Sequence, residues 1–103
     1  MIGRIWHGWN TLANADAYET LLRNEIFVDI KNCRIAGFRE NQLFRRNLGD
    51  EEEFATIMWL DDIDASCVFA EEDCQVAVVP PKARKLLSWF DPRSQHCQNQ
   101  SPN

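Results

Sequence analysis

No stretch of this sequence stays apolar for the roughly 20 residues a membrane-spanning helix requires. Arg4, Trp6 and His7 also interrupt the N-terminus, where the core of a signal peptide would lie. The expectation is a cytoplasmic protein with no membrane segment. Basic clusters are scarce as well: 16 acidic residues outnumber 11 Lys and Arg, for a formal net charge of -5. The chain therefore lacks the Lys/Arg-rich face by which nucleic acid backbones are bound. It has no glycine-rich phosphate loop, no HExxH run and no nucleophile elbow, which removes nucleotide-binding enzymes, zinc proteases and serine hydrolases. Its four cysteines, Cys33, Cys67, Cys74 and Cys97, show no CxxC spacing and are expected to be reduced thiols. On a continuous helix Cys67 and Cys74 would share a face but sit about 10 Å apart, too far for a disulfide.

What is present describes one soluble globular unit. Of 103 residues, 45% are hydrophobic and 26% charged, a balance typical of a folded domain and unlike a disordered chain. Four Trp and six Phe supply a core out of proportion to the length, each large apolar side chain contributing roughly 1.5 to 3 kcal/mol when fully buried. A single domain over residues 1–98 is expected, with a flexible tail over 99–103.

Alternation from Ile2 to Trp9 predicts a first strand, with Ile2, Arg4 and Trp6 on one face and Gly3, Ile5, His7 and Trp9 on the other. Asn10, Thr11 and Asn14 offer capping oxygens. Tyr18, Leu21, Leu22, Ile26 and Ile30 then recur at helical spacing, which predicts a helix over Ala15 to Lys31. Gly37 breaks it. Phe38 to Asn47 and Phe54 to Leu60 read as a hairpin, with the acidic run Asp50 to Glu53 as its solvated turn. Asp61, Asp62 and Asp64 suit the start of a second helix, continued by Ile63, Cys67 and Ala70. Val76 to Val79 is left open by periodicity. Lys82 to Phe90 reads as helix and Ser94 to Gln98 as a last strand.

The order βαββαβ implies an α+β, ferredoxin-like fold, with helices on one face of a four-stranded antiparallel sheet. The uncovered face, with Trp, Leu and Met side chains available to it, predicts a homodimer. Trp6 and Arg4 are expected on that dimer side, with His7 and Trp59 toward the interior.

The opening Ile2-Gly3-Arg4-Ile5-Trp6-His7-Gly8, the Gly37-Phe38-Arg39 entry to the second strand, Met58-Trp59 before an Asp-rich helix start, and Ser94-Gln95-His96 together resemble the antibiotic biosynthesis monooxygenase domain over nearly the whole chain. The resemblance implies a dimeric α+β barrel with an apolar pocket between the sheet and helices of each subunit. Studied relatives oxidise aromatic polyketides with molecular oxygen and no metal or flavin, and others open the heme macrocycle. The heme-degrading relatives combine a first-strand Asn, a Trp ending the third strand and a His on the second helical region. Trp59 fits that set, but His7 stands near the Asn position and no His occurs from Asp62 to Phe90. The family's frequent terminal His-Tyr is here His96-Cys97.

Ground-state oxygen reacts slowly with closed-shell molecules, so catalysis without a cofactor needs a base that makes the substrate electron-rich. His96 and His7 are the candidates, on neighbouring strands. Trp59, Arg39 and Phe69 are the candidate substrate contacts: the indole stacking on a flat ligand, the guanidinium pairing with a carboxylate or enolate or serving as a salt bridge. The expected function is a cofactor-independent monooxygenase acting on a small aromatic or lipophilic molecule. The alternative is a non-catalytic dimer that binds such a ligand or serves in a stress response.

Overall fold

The computed structural model describes residues 1–70 and 74–101. Strand β1 spans Ile2–Thr11, and the chain then enters one uninterrupted helical stretch: α1 (Leu12–Leu21), a π-helical segment (Leu22–Ile26) and α2 (Phe27–Asn32). Strands β2 (Phe38–Asn47) and β3 (Glu51–Leu60) form the hairpin, followed by α3 (Ile63–Ala70), α4 (Pro81–Leu86), β4 (Leu87–Phe90) and β5 (Gln95–Gln98). Among the described residues the sheet is open, antiparallel and five-stranded, in the order β2-β3-β1-β4 with β5 also on β1. β4 lies on the C-terminal half of β1 and β5 on its N-terminal half, so the two share one edge position. With them counted as one interrupted strand, the fold is α+β and compatible with the ferredoxin-like arrangement.

Local chemistry sets several boundaries. Thr11 closes β1 and caps α1, its hydroxyl accepting from the Asn14 N–H at 3.2 Å, so the helix starts three residues earlier than Ala15. Gly37 opens β2 with φ of +86°, a conformation side chains resist, and its carbonyl accepts from the Asp61 N–H at 2.8 Å. The acidic run is not a solvated turn. Glu51, Glu52 and Glu53 belong to β3, where Glu52 pairs with Arg45 at 3.2 Å and Glu53 pairs with Arg46, and the reversal lies at Leu48 to Asp50.

The predicted helix from Lys82 to Phe90 is half strand. α4 stops at Leu86 because the next residues pair with β1, Gly8 facing Phe90 and Trp9 facing Trp89, whose rings meet at 4.4 Å. Leu86, Leu87 and Phe90 fit a helical spacing, but strand pairing and aromatic contact outweigh it. Asn10, fully buried, secures the junction by donating to the Leu86 carbonyl at 2.9 Å. Val76 to Val79 forms no regular element beyond a single bridge between Val76 and Arg93. At the C-terminus the Asn99 N–H donates to Met1 O, while Pro102 and Asn103 lie outside the described residues.

The core lies between the helices and one sheet face. Tyr18, Leu21 and Leu22 pack with Phe54, Val79 and Ala83, and Tyr18 meets Phe54 edge-on at 5.0 Å. A second cluster joins Met58 and Leu60 to Ala65 of α3, with Ile30, Ile35, Phe38 and Phe69 around it. Among the described residues, both core clusters lie on this face and no helix covers the other.

The cysteines correct the sequence reading. Cys67 and Cys74 are bridged, with Cα atoms 4.2 Å apart, while Cys33 and Cys97 are free and exposed. The 10 Å separation presupposes an unbroken helix, but Cys74 lies in a turn, outside α3. A loop this short is worth about 2 kcal/mol of unfolded-state entropy. Reductant should therefore lower the melting temperature of the wild type, and a Cys67→Ser/Cys74→Ser variant should melt at that lower temperature with no response to reductant. Identical melting with and without reductant would show the bridge contributes nothing.

Candidate functional site

A cavity of about 530 Å³ opens between the helices and the sheet, within the range typical of small-molecule sites. Its sheet wall is set by register. Arg4 faces Met58, Trp6 faces Thr56, and Asn41 faces Met58 from β2, so these side chains share the helix-side face. Tyr18, Leu21, Leu22 and Ile26 close it from the helical stretch and Val79 and Ala83 from the other side. Exposed Glu25, Asp29 and Lys82 lie at the rim, Lys82 paired with Glu25 at 2.8 Å.

Arg4 and Trp6 thus point away from the face expected of them. Trp6 donates its indole N–H to the Asp91 carbonyl at 2.7 Å and lies close over Gly8, where a Cβ would meet the Trp6 ring at 2.9 Å. Arg4 is only 4% exposed. Its guanidinium donates from Nη1 to Ser66 Oγ at 3.0 Å and to the Cys74 carbonyl, and from Nη2 to the Val76 carbonyl at 2.7 Å. It also lies 5.3 Å from the centre of the Phe69 ring, a cation–π contact. These bonds tie β1 to α3 and to the segment after the disulfide.

The two histidines lie on neighbouring strands but on opposite sheet faces. His96 faces Arg4 across the β1–β5 pairing, and its Nε2 is 2.7 Å from Ser66 Oγ. Ser66 Oγ thus bridges the two, accepting from Arg4 and lying within hydrogen-bond distance of His96 Nε2. Nδ1 is buried without a partner among the described residues. Burial first, and the charge of Arg4 second, lower the His96 pKa from its ordinary value. His7, one parity step from Trp6, sits on the uncovered face with Nδ1 3.4 Å from Asp91 Oδ2 and its ring stacked on Trp9. Neither histidine lines the cavity.

Trp59 also stands on the uncovered face. It donates its indole N–H to Gln42 Oε1 at 2.7 Å and covers Gly3, where a Cβ would lie 3.2 Å from the ring. It is absent from the cavity wall, contrary to expectation. Arg39 is exposed and forms a two-pronged salt bridge with Asp61, at 2.6 and 3.1 Å. Of the candidate substrate contacts only Phe69 reaches the cavity. The residues that sequence reasoning missed are Arg4, Tyr18, Asn41 and Thr56. Arg4 carried a usable signal, since a charged residue on a strand paired along both sides has either a wet face or buried partners.

No histidine or cysteine lines the cavity to ligate a heme iron, and among the described residues no cluster of three His, Cys, Asp or Glu side chains could hold a metal ion. No described helix is long and apolar enough to cross a membrane. No family model matches the chain, and no curated protein matches it.

The lowered His96 pKa has a defined sign. The unfolded chain takes up this proton first, so the contribution of His96 to stability is complete above pH 6.5 and is lost as pH falls below it toward the folded value. Urea midpoints measured from pH 8 down to pH 5 should fall more steeply for wild type than for His96→Gln. Parallel curves would place His96 in solvent.

Proposed function

We propose that the chain is a homodimeric, cofactor-independent monooxygenase-like domain that admits a small aromatic or lipophilic molecule to the cavity and oxidises it with molecular oxygen. The supporting observation is the cavity, since an apolar chamber of about 530 Å³ beside a sheet is the feature such a reaction needs to exclude water and protect an anionic intermediate. Oxidising a ring methylene to a carbonyl consumes one O2 and releases one water, so the protein has only to bind, deprotonate and shield. His96 is the proton acceptor in this reading, reached from the Arg4 wall through the Ser66 hydroxyl. His7, on the far face, takes no part.

The same resemblance supports the dimeric barrel, and so does the uncovered sheet face. Trp89 is 58% exposed and Phe44 54%, with half-buried Ile5, Trp9, Ile57 and Trp59 on the same side. Monomers rarely leave such a patch in water, and a second copy supplies a matching one. Trp89→Glu should convert the dimer to a monomer in sedimentation experiments while leaving the far-UV spectrum unchanged. A wild type that sediments as a monomer at micromolar concentration would defeat the dimer. A cytoplasmic location stays part of this proposal, and there the Cys67–Cys74 bridge would meet a reducing thiol pool.

A second reading, binding without turnover, is favoured by the lack of any histidine on the cavity wall. Oxygen uptake with a panel of anthrones and quinols separates the two. Turnover should occur in wild type and His7→Ala and drop at least about tenfold in His96→Ala, the usual scale for a general base being 10² to 10⁴. Uptake equal in all three proteins would remove His96 from the chemistry. Binding of the same compounds with no uptake by wild type would favour the binding protein.

A further inference from the structure

From the Arg4 guanidinium on the cavity wall, which no carboxylate among the described residues pairs, we infer that the cavity is a site for an amphipathic monoanion, a carbon body bearing one carboxylate or phenolate oxygen that the Arg4 guanidinium receives. The inference rests on reading the cavity as a ligand site and adds what the ligand must carry.

Arg4 is buried to 4% exposure, and no carboxylate among the described residues pairs with it. Every other arginine that forms a described ion pair, Arg23, Arg39, Arg45 and Arg46, does so on the surface against Asp or Glu. Arg4 instead meets a hydroxyl, two backbone carbonyls and a phenyl ring, all neutral. Buried charges in proteins are ordinarily paired, because several kcal/mol of hydration must be replaced. Three of its five N–H groups are used among the described residues, which leaves Nε–H and one Nη2–H. A guanidinium with donors to spare is the side chain best matched to a carboxylate or phenolate oxygen.

The rest of the wall fits the remainder of such a ligand. Leu21, Leu22, Ile26, Met58 and Val79 give it an apolar body. Tyr18, 1% exposed and on the wall, makes no hydrogen bond with a described residue, and burial pushes its phenol above the ordinary value, so it stays a neutral O–H able to donate. At the rim the Lys82 and Glu25 charges cancel by pairing, and Asp29 is exposed to solvent. Among the described residues, the buried positive charge at Arg4 is the one that a ligand inside would meet.

The test compares acids with their neutral esters. Isothermal titration of the full chain at pH 7.5 with 1-naphthoate and methyl 1-naphthoate, and with dodecanoate and methyl dodecanoate, reads the contribution of the anionic oxygen alone. The acid of at least one pair should bind about tenfold or more tightly than its ester, the scale of a charge-assisted hydrogen bond. Arg4→Met should erase that preference and Arg4→Lys should keep part of it. Arg4 also anchors the backbone, so if Arg4→Met fails to fold, Tyr18→Phe serves as the second variant and should weaken acid binding several-fold while leaving ester binding unchanged. Esters bound as tightly as acids by wild type would overturn the anion site and leave the cavity reading standing. An acid preference that survives in folded Arg4→Met would likewise overturn it. Binding of none of the four probes would overturn both.

Discussion

The period-two alternation of β1 decides the chemistry available to this molecule. β1 is the central strand, paired along its length with β3 on one side and with β4 and β5 on the other. Its side chains have only two directions. One sends Arg4, Trp6 and Asn10 under the helices, the other sends Ile5, His7 and Trp9 to the uncovered face. A slip of one residue would exchange the two faces, burying His7 and turning Arg4 outward. Strand parity, rather than loop placement, therefore puts Arg4 on the cavity wall and keeps His7 off it.

How far this could be read from the sequence differed by element. β1, the β2–β3 hairpin and the long first helix follow from alternation and helical spacing, which are local signals. Face assignment does not follow, because both sets of β1 residues contain tryptophan and isoleucine, and only packing against α1 and α3 separates them. The same limit explains Leu87 to Phe90, whose apolar spacing suits a helix until Trp89 finds Trp9. A tryptophan at this strand end reads as a pocket wall, but its neighbours Gly3 and Gln42 hold Trp59 on the far side. The Cys67–Cys74 bridge was hidden for a further reason: spacing measures distance only along a regular element, and α3 ends before Cys74.

The bridge and Arg4 act on one region. Cys67 follows Ser66, which accepts from Arg4 and contacts His96, and Cys74 offers its own carbonyl to the same guanidinium. The disulfide thus fixes the chain on both sides of the arginine, holding α3 and the start of the 74–76 segment at the spacing that lets one side chain bond to both. His96, on β5, closes the arrangement from the edge of the sheet. Two free thiols at Cys33 and Cys97 lie outside it.

Arg4 satisfies two backbone carbonyls and the Ser66 hydroxyl, and an apolar residue in its place would leave those buried acceptors unpaired. Nor could an apolar residue hold a charge on the cavity wall. An occupant that completes the charge balance of Arg4 binds the folded chain and has no counterpart in the unfolded one, so it raises stability by about 2.7 kcal/mol at a hundredfold its dissociation constant. The desolvation cost of burying Arg4 is in this sense part of the site's selectivity: a neutral molecule of the same shape leaves that cost in place, and an anion offsets it.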